Sequence, residues 1–464
     1  MSDVLVLPPG GDESRDFLER RERLLLATRS PSPPPQRPVK SCTPQPRIAV
    51  HPLLHDHGHL IRNLDRGHRQ VTVTNLGAGP LAVGQLRLVG PDAAHFRIHA
   101  DGVSGHAFVQ DAHGTVTVSV SSNRTGHLAA LLEIPSNDPA LPLAYALLMA
   151  RVSGRVVVVI SVDWEGLNLL PANLDAMEQF RLQFPAVPLT HFVSAGYFTR
   201  SRVGDWPVLR SEMRRAMLPI DEIGVHVHCW HALLENAGVA PSGNDDWGPG
   251  ADPYFNIWGD GGHANPITDY TAGEVRTIVE HSRQALQVAG GFNVSRSYRS
   301  GGWVMNAAVQ AGVYAAGFRV DSSAVPPAIV AGQGLADVVL AAAWGAVATD
   351  TQPYYLPFAG GGRLKEVPDN GALADYIDVA GTQNLMDWAL QQQGDEPLLL
   401  QTGFHQETAA ALDLYDDQGV YIPVPPQAYL GRIAQLLGNW SNDVNTWPEL
   451  EFLTVEQAAA RFLP

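Results

Sequence analysis

At 464 residues the chain is too long for one ordinary hydrophobic core, so two or three domains are expected. Its 31 basic against 47 acidic side chains give a formal charge of −16, which argues against nucleic acid or an anionic membrane as partner. The 45% hydrophobic and 17% charged content is that of a soluble globular protein, and Cys42 and Cys229 alone make no disulfide framework.

Residues 1–23 carry one short apolar patch, Val4 to Leu7, then a Gly-Gly pair and mixed charges. No basic region leads into a long apolar stretch, so no signal peptide is expected. No apolar run reaches the roughly 18 to 20 residues of a membrane span. The expected location is therefore cytoplasmic. A short helix is predicted around residues 16–27, and the proline density from Ser30 to Arg47 predicts an extended linker. Residues 1–47 thus read as a mobile N-terminal segment.

Residues 48–152 form a series of short strand-like stretches at 70–75, 83–89, 115–120, 129–134 and 145–152, separated by Gly, Pro and Asn. That spacing predicts an all-β sandwich. The wording Thr74-Asn75-Leu76-Gly77-Ala78-Gly79-Pro80-Leu81, then Gly90-Pro91-Asp92-Ala93-Ala94-His95-Phe96 and Ser136-Asn137-Asp138-Pro139, resembles the ASH or choice-of-anchor-D group of immunoglobulin-like domains. The resemblance implies a spacer or adhesion module that meets a protein partner, and it speaks to fold more than to activity. His55-Asp56-His57-Gly58-His59 matches no standard ligand spacing and reads as a solvated loop rich in His, with metal binding as the alternative.

From Arg155 onward strand and helix patterns alternate, the signature of a parallel α/β architecture. Strands are predicted at 156–163, 189–198, 223–229, 297–298, 318–321, 354–357, 397–405 and 450–454. Helices are predicted at 173–184, 208–217, 306–316, 382–392, 426–439 and 455–462. Thr271 and Glu274 make a capping box for a further helix, with Val275, Ile278, Val279 and Leu286 along its apolar stripe and Gly290-Gly291 at its end. This count of β/α units predicts a distorted (β/α)7-type barrel over residues 155–464, with its site at the C-terminal strand ends. Residues 232–267 break the rhythm and read as a substrate-contacting loop.

Two of these strands carry paired side chains. One runs into Ser161-Val162-Asp163-Trp164-Glu165-Gly166, the other is Glu222-Ile223-Gly224-Val225-His226-Val227-His228-Cys229-Trp230. Residues i and i+2 of a strand share a face, so Asp163 projects with Glu165 and His226 with His228. Two carboxylates and two imidazoles at strand ends suit one divalent metal and one general base. Cys229 alternates to the opposite face and reads as packing. Trp164, Trp230 and Trp303 read as core, with one lining a ligand subsite as the alternative. The triplets beginning at Asn123 and Asn293 match the glycosylation sequon, and chance is the default reading.

With Tyr298-Arg299-Ser300-Gly301-Gly302-Trp303, then Gly317-Phe318-Arg319-Val320-Asp321-Ser322-Ser323 and Thr402-Gly403-Phe404-His405, these motifs follow in one order. In that order the region from Val156 to Pro464 resembles the polysaccharide deacetylases (carbohydrate esterase family four, NodB-homology fold), and within them the WalW-like branch. The resemblance implies Asp163 as general base, Glu165, His226 and His228 as metal ligands, and His405 as general acid. Arg299 would orient Asp163, and Asp321 would support His405 or the site floor. Most of that family separates its ligand histidines by three residues, which here puts Trp230 at the second position. His228 is taken as the second ligand because it shares a strand face with His226, and His231 is the alternative. The metal implied by two His and one carboxylate is Zn2+ by default.

The expected activity is metal-dependent removal of acetyl groups from N-acetylated sugars of a bacterial polysaccharide or its precursor. An amidase on a small non-sugar amide, or a non-catalytic scaffold with a degenerate site, are the competing expectations.

Overall fold

β-branched residues alternate with polar ones along Gly67–Asn75 and His113–Val120, so each strand buries one face and wets the other. These two are the middle of a four-stranded sheet, flanked by Ile48–His51 and Phe96–Asp101. A second sheet orders Leu54–Ile61, Leu143–Ser153, Gly126–Pro135 and Arg87–Val89. Val71, Val73, Val116 and Val118 of the first sheet share one buried core with Leu128, Ala130, Leu132, Ala146 and Leu148 of the second. This part of the chain is a β-sandwich.

One expectation in this region is corrected. The stretch His55-Asp56-His57-Gly58-His59 is not a solvated loop but lies within the strand Leu54–Ile61, paired parallel to Leu143–Ser153. The ladder slips one residue between Met149 and Arg151, opposite Gly58, whose φ of +79° absorbs the bulge. His57 is buried there with its ring 5.7 Å from that of Phe96.

The structure is a computed structural model that describes residues 44–63, 67–166, 169–199, 206–244, 264–331, 336–358, 361–392, 396–415, 421–423, 428–441 and 449–464. The predicted N-terminal helix, most of the proline-rich linker and residues 245–263 of the predicted loop lie outside them. The chain divides into two compact units, Met1–Arg155 with Leu390–Glu396, and Val156–Ala389 with Pro397–Pro464. Among the described residues no helix is long and apolar enough to cross a membrane.

The second unit is mixed α/β around a nine-stranded sheet. Its path runs Tyr354–Pro357, Arg363–Glu366, Val320–Asp321, Val294–Ser300, Glu222–Val227, Leu189–Ser194, Val156–Trp164 and Leu398–His405, with Leu450–Phe452 also paired to Val156–Trp164. All ladders are parallel except that of Tyr354–Pro357. Val156–Trp164 is buried along its whole length, as the apolar run Val156–Ile160 requires in a parallel sheet covered on both faces. The capping box at Thr271 and Glu274 forms, and Val275, Ile278, Val279 and Leu286 are buried along Ala272–Val288. Predicted strand 189–198 ends sooner, at Ser194, and a turn of helix, Gly196–Thr199, follows. The strand Arg363–Glu366 and the helix Ala336–Trp344 were not predicted.

The sheet is strongly curled. Gln401 donates from the Leu398–His405 strand to Ser322 Oγ at 2.8 Å. Five ladder steps of about 4.8 Å separate their strands along the path, roughly 24 Å in a flat sheet. Among the described residues no strand ladder joins the two ends of the path. An irregular segment spans the gap instead: Val367 N–H donates to Asp321 O and Asp369 N–H to Ala324 O at 2.9 and 2.7 Å. Further along, Gly371 N–H donates to Gln401 O and Ala374 N–H to Gly403 O at 2.8 and 2.7 Å.

Gly403 lies between this segment and the Val156–Trp164 strand, opposite Ser161 in the ladder. A Cβ there would stand 2.2 Å from Ser161 O and 2.9 Å from Leu373 Cδ2. Gly403→Ala is expected to destabilise the protein by about 1–3 kcal/mol or more in urea unfolding, because the obstacle is backbone that cannot rotate away.

Candidate active site

The site is built where the parallel strands end. Asp163 lies in the last turn of pleat of Val156–Trp164 and is 2% exposed, while Glu165 follows one residue past the strand. His226 comes from Glu222–Val227, His228 from the residue after it, and His405 closes Leu398–His405. Asp163 and His405 are ladder partners, as are His226 and Arg299. Ligand atoms of Glu165, His226 and His228 all lie within 4.8 Å of one another, and so do those of Asp163, Glu165 and His405. His231 opens the helix His231–Ala237 and belongs to neither group.

His226 Nδ1 lies 3.1 Å from the Arg299 carbonyl, which can only accept, so Nδ1 carries the proton. In the neutral ring Nε2 is then a lone pair, yet it faces Glu165 Oε1 at 3.1 Å. Two acceptors in that position need a cation or a second proton between them. His228 Nε2 meets the other oxygen, Glu165 Oε2. Burial alone would raise the Glu165 carboxyl, but His228 and His226 outweigh it and hold it well below the usual range. One carboxylate and two imidazoles fit a divalent cation with open positions.

Arg299 is fully buried. It donates to Asp163 Oδ1 at 2.8 Å, Ser161 Oγ at 3.0 Å, Ser322 O at 2.9 Å and Ser322 Oγ at 3.0 Å. Its guanidinium also stands 4.4 Å from the centre of the Phe192 ring. Gly224, beside Phe192 in the ladder, leaves room for that ring: a Cβ there would come within 2.8 Å of it.

Three carboxyls that the sequence reading did not single out complete the surroundings. Asp375 accepts from His405 Nδ1 at 2.9 Å. Burial by itself lowers the His405 pKa, but Asp375, then Glu165 and Asp163, carry it up to about 10, so the ring is an imidazolium. Asp369 lies 3.6 Å from Arg299 and accepts from Trp303 Nε1 at 3.2 Å; burial pushes it up to about 6. Glu407 accepts from the Glu165 N–H at 3.0 Å and from Tyr197 Oη–H at 2.5 Å, and burial with the Glu165 charge pushes it up to about 8. Asp375 and Asp369 sit on the irregular closing segment, whose position depends on tertiary contacts, and no local pattern marks them.

Asp321, expected to support His405 or the site floor, does not hold His405; Asp375 does. Asp321 is fully buried, within electrostatic range of Arg299 and beside Glu366, its ladder partner. Ser323 Oγ–H donates to Asp321 at 2.6 Å and Ala324 N–H to Glu366 at 2.9 Å. Cys229 is buried as packing, and burial pushes its thiol pKa up. Trp164, Trp230 and Trp303 are all buried, and Trp164 Nε1–H donates to His191 Nδ1 at 3.1 Å.

No family model and no curated protein matches the chain. Similar solved structures include a protein of unknown function from Porphyromonas gingivalis W83, at 18% identity over 23% of this chain and 46% of that one, with a TM-score of 0.19. The secreted serine protease VesC from Vibrio cholerae matches at 19% identity over 22% of each chain, also with a TM-score of 0.19. The ASH/PapD-like domain 7 of human CEP192 matches at 10% identity over 26% of this chain and 97% of that domain, again at 0.19. The chain spans less than half the length of the first two. Likenesses of this size carry no argument about the site.

Burial holds Asp321 up to about 6 and, with the Asp321 charge, Glu366 well above the usual carboxylate range. A raised carboxyl pKa favours the folded state fully below the unfolded value near 4, and this contribution fades as pH rises through the folded value. Asp321→Asn keeps a neutral group at that place. Its stability relative to wild type is therefore expected to improve between about pH 4 and pH 6 in urea titrations. A difference that stays flat across this window would contradict the raised pKa of Asp321.

Proposed function

We propose that the chain is a metal-dependent hydrolase that removes acetyl from N-acetylated sugars of a bacterial polysaccharide or its precursor, on a distorted barrel. The observation that supports this most directly is the convergence of Glu165, His226 and His228 beside Asp163 and His405. Glu165, His226 and His228 would hold the cation. When bound, a divalent ion there supplies Lewis acidity toward a carbonyl oxygen and makes water a stronger acid.

The chain's own residues account for the proton movements. Asp163, oriented by Arg299, accepts a proton from the attacking water as its oxygen bonds to the carbonyl carbon. His405, charged and held by Asp375 through Nδ1, presents Nε2 to the cluster, 3.6 Å from Glu165 Oε1. That nitrogen gives its proton to the departing amine as the C–N bond breaks, leaving acetate and a free amino sugar. The Asp375 contact fixes which ring nitrogen faces the substrate.

Asp163→Asn is expected to lower acetate release from chitooligosaccharides by about 10²–10⁴-fold while zinc content by elemental analysis stays at the wild-type level. A chelator should remove the activity and added zinc restore it. Unchanged turnover in the variant would rule out this mechanism. Acetate release from the sugars but not from a panel of small amides separates the deacetylase from an amidase.

A further inference from the structure

Glu165 reaches the cluster from a turn, not from a strand. The Val156–Trp164 strand has ended, and Gly166 at φ +84° redirects the chain. A carboxylate on an untethered turn would be placed loosely, yet both sides of this residue's backbone are bonded. Its N–H donates to Glu407 Oε1 at 3.0 Å, and its carbonyl accepts from Trp230 Nε1–H at 2.8 Å.

Room for the indole comes from two missing side chains. A Cβ on Gly166 would stand 3.2 Å from Trp230 Nε1, and one on Gly196 would stand 2.8 Å from Trp230 Cδ1. The same ring is stacked on the His228 imidazole, with centroids 5.7 Å apart and planes at 26°. Trp230 is 3% exposed, and its backbone N–H donates to His228 O at 2.8 Å. One buried side chain therefore touches two of the three residues assigned to the cation.

We propose that Trp230 is a positioning residue of the cation site, fixing the Glu165 turn through its indole N–H and the His228 ring through its face, with Glu407 closing the other side of Glu165. This rests on the metal reading of Glu165, His226 and His228. An indole has a donor and no lone pair to offer a metal, so what Trp230 contributes is geometry. Such outer contacts set ligand orientation and typically carry about 10–100-fold in metal affinity.

The test is zinc titration of the full chain by calorimetry, with circular dichroism as the folding check. Trp230→Phe keeps a ring over His228 and loses the N–H donor; Trp230→His offers a further imidazole in place of the indole. Both are expected to bind zinc about 10–100-fold more weakly than wild type. Trp230→Phe binding within twofold of wild type overturns the proposal, and so does Trp230→His binding more tightly. Should Trp230→Phe fail to fold, Gly196→Ala displaces the indole without removing it, and the same loss is expected; unchanged affinity overturns the proposal. Hydrogen exchange in ion-free protein reads the clamp separately: the peptide containing Glu165 should exchange faster in Trp230→Phe, and an unchanged rate overturns the proposal. Wild type and Glu165→Ala that both take up no zinc would sink the metal reading, while the exchange result would still decide the role of Trp230.

Discussion

A guanidinium enclosed within a curled sheet is the constraint from which the site's arrangement follows. An isolated charge at Arg299 would be strongly destabilising in so dry a position, and removing one partner of such a pair leaves the other uncompensated. Arg299 finds Asp163 on one strand, Ser322 after another, Asp369 on the closing segment and the Phe192 face between them. Those partners lie several ladder steps apart along the sheet. They surround one side chain only because the sheet curls. Carboxyls outnumber this cation in the interior, and burial raises Asp369 and Asp321 to about 6 and Glu366 well above the usual carboxylate range.

The rim of the same sheet gives the chemistry its layout. Parallel strands deliver Asp163, His226 and His405 to one edge, because register fixes which residues stand side by side. His226 shows how the interior and the rim are coupled: its Nδ1–H is fixed by the Arg299 carbonyl, which turns the other nitrogen toward Glu165. His405 is fixed in the same sense by Asp375. Each imidazole is oriented by a partner on a neighbouring segment, which fixes the nitrogen it presents to the cluster.

Much of the second unit was legible in the amino-acid order. The β-branched run at Val156–Ile160 predicts a buried parallel strand, and Thr271 with Glu274 predicts a helix start; both form. The order of residues puts Asp163 and His226 at the ends of two strands, with Glu165 and His228 just past them, so closeness along the chain brings each pair together. What stayed hidden has a common cause. Arg363–Glu366 is a four-residue strand too short to show a period. His55–His59 looks like a loop by composition, but its backbone bonds to Leu143–Ser153, far along the chain.

Local order therefore determined the elements and the identity of the acids and imidazoles carried at their ends. The glycine at 166 permits the left-handed backbone found there. Tertiary structure alone decided that Asp375 meets His405, that Asp321 lies beside Glu366, and that Trp230 reaches the Glu165 carbonyl. Those contacts join residues separated by tens of positions, and no short-range preference encodes them. Their partners are chosen by how far the sheet curls and by which segment fills the gap it leaves.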